Sequence, residues 1–81
     1  MNAEEERKLL ERITINPKVL VGKPIIRGYR ISVEHLLKAL AAGRTFEELK
    51  TDYPFLEQDD IRACLLYASQ LAEEEKVYQI L

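Results

Sequence analysis

Three glycines, three prolines, one cysteine and one histidine are all that these 81 residues hold of the types that punctuate, staple or metallate a small protein. A lone cysteine, Cys64, excludes any internal disulfide and suits a reducing compartment. His35 and Cys64 are too few soft donors for a structural zinc site. No apolar run approaches the roughly 20 residues that span a bilayer. Glu4, Glu5 and Glu6 are the opposite of a basic leader segment. The expectation is a cytoplasmic protein that binds no cofactor or metal. An excess of one charge is missing too: the formal net charge is −2, so the whole chain sets up no field that would draw in nucleic acid.

What the chain does hold is the apolar content, 47%, and charged content, 32%, of a globular protein rather than a disordered one. It reads as one domain, 1–81, of a size at which a single core is marginal, so a partner or a homodimer is expected. The cations gather between Lys18 and Arg44, while acids collect at Glu4 to Glu6, Glu47 to Asp60 and Glu73 to Glu75. Such a division permits one basic face on an acidic protein.

The order of elements follows from local signals. Residues 1–12 form an N-terminal arm, with Asn2 as cap and Leu9, Leu10 and Ile13 along one side of a short helix. Residues 13–31 form the β-hairpin region. Ile13, Thr14 and Ile15 are β-prone, Asn16-Pro17 turns the chain, and Val19, Leu20 and Val21 lead to Gly22. Ile25 and Ile26 then pair across an Arg27-Gly28 turn with Arg30 and Ile31, which brings Lys23, Arg27 and Arg30 together on an exposed rim. Ser32 caps a helix with Val33, Leu36, Leu37 and Leu40 at i, i+3, i+4 and i+7, and Gly43 stops it. Thr45-Phe46-Glu47-Glu48 spells a capping box for a second short helix, about 46–51. Tyr53-Pro54 ends that helix. A third helix runs from Leu56 to about Ala72, apolar on more than one face. The fold class expected is mostly α: a short N-terminal β-hairpin followed by a three-helix helix-turn-helix bundle, 32–72, and a C-terminal tail, 73–81.

The ordered series Ile13-Thr14-Ile15-Asn16-Pro17, Val21 to Val33, Leu40-Ala41-Ala42-Gly43, Tyr53-Pro54 and Asp60 to Ala68 resembles the domain-of-unknown-function family 433. The resemblance covers roughly residues 13–70. It implies an antitoxin encoded beside a PIN-like nuclease toxin, built on a homeodomain-like helix-turn-helix. The family pattern has a glycine where this chain has Val21, a threonine where it has Tyr29, and a capping threonine where it has Glu57.

Each candidate site has a bland alternative. Lys23, Arg27 and Arg30 would grip phosphates of promoter DNA; on the residues alone they are a solvated edge that discourages aggregation, and the resemblance brings the two readings level. Arg62 and Gln70 would reach base edges from the third helix. Glu57, Asp59 and Asp60 suit the dipole of that helix and repel DNA from the end such helices insert. His35 lies off the core stripe, and Cys64 lies on it as a small hydrophobe. Val77, Tyr78, Ile80 and Leu81 are the expected partner contacts, an apolar anchor beside an acidic run. No catalytic residues are expected. The functional expectation is an antitoxin-like protein that neutralises its nuclease and binds its own promoter. The alternatives are a DNA-binding regulator without a toxin and a non-catalytic interaction domain.

Overall fold

The computed structural model describes residues 1–74. The chain runs α1 (Ala3–Leu10), β1 (Ile13–Thr14), a 3₁₀ turn (Leu20–Gly22), β2 (Ile25–Ile26), α2 (Val33–Ala41), α3 (Phe46–Asp52) and α4 (Gln58–Glu74). The protein is thus mostly helical, with a short two-stranded antiparallel element at its N-terminal side followed by three helices. The tail residues Val77, Tyr78, Ile80 and Leu81 lie outside the described residues.

The local signals in the helices act as their chemistry requires. Ser32 Oγ accepts from the His35 amide at 3.0 Å, and Thr45 and Glu48 complete the capping box. Glu57 is a poor cap, but its own amide donates to the Asp60 carboxylate at 2.8 Å, so half of a capping box survives without the threonine. Leu56 is not part of the third helix; it is a fully buried residue of the α3–α4 connection, and the helix begins at Gln58.

The strand pairing differs from the expected hairpin. Ile26 and Ile25 face Ile13 and Thr14 respectively, while the return chain touches β2 only through an Ile25–Ser32 bridge and the Ile31 carbonyl. The Arg27-Gly28 turn itself forms, with φ of 43° and 77° and the Tyr29 amide donating to the Ile26 carbonyl at 2.7 Å, a type I′ geometry. Ile13 packs against the core from its position beside β2, and Ile31 of the return chain is buried in the same core, so both flanks of β2 carry an isoleucine inward.

Ile26, Ile31, Val33, Leu36, Leu49, Leu56, Ile61 and Cys64 form one buried cluster; Leu9, Ala63 and Leu66 form another. The second cluster corrects the view of residues 1–12 as an arm: α1 is a packed helix whose Leu9 lies against α4. It also explains the two apolar faces of α4, one covered by α1 and the other by α2 and the β element. Leu65, next to buried Cys64 and Leu66 on α4, is 52% exposed. Cys64 is wholly buried and burial pushes its thiol up to about 12, which makes it an inert hydrophobe.

Candidate functional site

The three cations expected on one rim are divided by the structure. Arg27 turns inward. Its Nε donates to Asp60 Oδ1 at 3.0 Å and its Nη2 to Asp60 Oδ2 at 2.9 Å, a bidentate fork, and Nη2 also reaches the Phe55 carbonyl at 2.8 Å. Arg12 Nη1 donates to the same Oδ1 at 3.0 Å and to Glu57 Oε1 at 2.7 Å. Asp60 is completely buried, so it ties the end of α1, the type I′ turn and the start of α4 into one knot. Burial by itself would raise its carboxyl, but hydrogen bonds from Arg27, the Glu57 amide and Arg12 outweigh that and hold it below the usual carboxylate range. Asp60 is therefore no mere helix-dipole residue. The fork also accounts for Arg27 keeping a left-handed backbone that glycine or asparagine usually fills.

Arg30, three residues on, is exposed and has no hydrogen bond or ion pair among the described residues. The other five arginines are all ion-paired: Arg7 with Glu4 and Glu11, Arg12 and Arg27 with Asp60, Arg44 with Asp52, and Arg62 with Asp59. Lys23 is salt-bridged to Glu34 at 2.8 Å. Of the expected nucleic-acid contacts, then, Lys23, Arg27 and Arg62 are engaged by carboxylates, and Arg30 alone has no ion pair among the described residues.

Arg30 lines an open concavity of about 460 Å³ with Leu20, Val21, Lys23, His35 and Tyr53. One wall is the strap 19–23. Leu20 and Val21 have φ of 48° and 57°, and Gly22 follows at 74°. A β-branched residue in the left-handed region is strained, and Val21 buries nothing in return, being 94% exposed. The other wall is α2 with the end of α3, where His35 Nε2 and the Tyr53 hydroxyl stand 3.1 Å apart. Tyr53 also lies edge-on to Phe55, which stacks on Tyr29 at 3.8 Å between centroids. Sequence reasoning found no partner for His35, because Tyr53 is 18 residues away on the far side of α3. The signal for Asp60 was present in outline: an acid three residues after a weak cap.

Four helices wrapped on a minimal antiparallel pair, with an internal two-arginine knot and a strained strap beside Arg30, define a small helical class; no described helix is long and apolar enough to cross a bilayer. The chain belongs to the family described as protein of unknown function (DUF433), whose profile matches residues 13–68. It is also 34% identical over 58 residues to an uncharacterized protein of Sinorhizobium fredii, y4eO, over 72% of this chain and 26% of that protein. The chain thus spans about a quarter of the length of the curated relative it matches. No solved structure matches it.

Proposed function

We propose that this chain is an antitoxin-like binding protein that neutralises a PIN-like nuclease toxin by covering it, and that the strap 19–23 with Arg30 forms the contact face. The observation that carries the reading is Val21, an apolar side chain held almost fully in solvent by a backbone that costs energy to keep. Strain of that kind persists where it serves display or binding. The face also carries the hot-spot types Arg30 and Tyr53. The protein acts sterically and no bond is made or broken by it. A homodimer fits the small core, and the half-exposed Leu71 beside Leu37 and Tyr67 offers apolar surface for it.

Co-expression with a PIN-like nuclease from the adjacent reading frame tests this. The wild-type chain is expected to co-purify with the nuclease and suppress its activity, and Val21→Asp to do neither while keeping its helical circular dichroism. Removing residues 75–81 separately tests Val77, Tyr78, Ile80 and Leu81 as contacts. Failure of the wild-type chain to bind the nuclease ends the reading.

Promoter binding is the second reading, favoured by the helix-turn-helix order of α3 and α4. It predicts salt-sensitive binding to upstream DNA that Arg30→Ala weakens. Absence of a shift at low salt removes it.

A further inference from the structure

We infer that the concavity between the strap and α2 is a carboxylate pocket: it receives one acidic side chain of a protein partner, with Arg30 as its cation and Val21 and Leu20 as the seat of a neighbouring apolar side chain. The inference rests on the binding-protein reading above but not on the identity of the partner as a nuclease.

Charge complementarity selects this occupant. A guanidinium presents a planar fork matched to a carboxylate, and Arg30 is the one arginine whose fork the described residues leave open. Lys23 stands at the same concavity with its ammonium fixed 2.8 Å from Glu34, which orients it without freeing it. When His35 Nε2 carries a proton it donates to the Tyr53 oxygen, and the phenol hydrogen is then available to an incoming oxyanion.

A nucleic-acid backbone is the poorer occupant. It is held by several cations in series, each neutralising one phosphate. Here Arg12, Arg27, Arg44 and Arg62 are spent on Glu57, Asp60, Asp52 and Asp59, and Glu34 sits beside Lys23. Lys8 and Lys18 also have no carboxylate partner among the described residues, but neither lines the concavity, where one open arginine suits one anionic group. The apolar wall supplied by Val21 and Leu20 suits a side chain next to that group, not a second phosphate.

The test is a chemical-shift titration of the full isotope-labelled chain with three probes: acetyl-Leu-Glu-Leu-amide, its Gln counterpart and inorganic phosphate. The Glu peptide is expected to shift amides of residues 20–23, 30 and 35, and to bind roughly tenfold or more tightly than the Gln peptide, as expected for one charge-assisted pair. Arg30→Ala should abolish that preference and Arg30→Lys should restore part of it. Equal shifts from the Glu and Gln peptides, or shifts scattered over the surface, overturn the proposal. Phosphate acting on these residues while the Glu peptide does not also overturns it, in favour of an inorganic-anion site. In the complex, Arg30→Glu should lose the partner and Arg30→Gln weaken it; retention of both overturns the pocket while leaving the antitoxin reading standing. A wild-type chain that captures no nuclease yet passes the titration has the opposite meaning.

Discussion

Arg27 and Arg30 leave the same turn and end in opposite circumstances. Arg27 is folded into the protein, its fork closed on a buried carboxylate and a backbone carbonyl. Arg30 faces the concavity with its fork open. The same pairing recurs in the backbone: Arg27 and Val21 both have positive φ, but three hydrogen bonds hold the first there, and nothing the Val21 side chain touches holds the second. One region converts charge and strain into stability, and the other displays them. The difference teaches that residue type and exposure of the turn say little about role until the long-range partners are known.

The comparison is most severely tested at Asp60. Replacing it with Asn keeps an acceptor for the Glu57 amide but leaves Arg12 and Arg27 without their shared anion, and is expected to cost about 3 kcal/mol, read from the urea midpoint at constant m. The pH profile has a definite sign. The carboxyl is depressed in the folded state, so its contribution is complete above the ordinary value of about 3.9 and is lost as pH falls through the lower folded value. Acid should therefore destabilise the wild-type chain below about pH 4, and Asp60→Asn should flatten that part of the curve.

Arg27→Ala comes next, at about 2 kcal/mol, because Asp60 retains Arg12 while losing the fork. Val21→Gly should go the other way. Relief of the left-handed valine, about 1 to 2 kcal/mol, exceeds the added freedom of glycine in the unfolded chain, leaving a gain of roughly 0.5 to 1 kcal/mol in thermal or urea denaturation. The same variant should bind the partner less well, since the displayed side chain is gone. A loss of stability instead would mean that the strap is not strained. Arg30→Ala, the smallest change, should stay within about 0.5 kcal/mol of wild type by the same measurement. A larger loss would show Arg30 to be structural and erase the distinction between the two arginines.

Much of the fold was legible because its signals are short-ranged. The Ser32 cap, the Thr45–Glu48 box, the apolar spacing of α2 and the burial of Cys64 each need only a few neighbouring residues to be read. The site was less so. Grouping Lys23, Arg27 and Arg30 by proximity in the chain was reasonable, yet the pairing of Arg27 with a residue 33 positions away is decided by how α4 crosses the turn. The β-prone patch at Ile13 was visible as well, but nothing local to it names β2 as its partner, since the return chain also carries a buried isoleucine, Ile31.

By itself the amino-acid order determined the class of the fold, the ends of α2 and α3 and the Arg27-Gly28 turn, since helix caps, periodicity and turn chemistry act within a turn or two of the chain. Only the packed structure decided that Arg12 and Arg27 close on Asp60 while Arg30 keeps its fork open among the described residues. Arg7 and Arg62 find their carboxylates within one turn of their own helices, but Arg12 and Arg27 reach theirs only once α1, β2 and α4 have closed around Asp60.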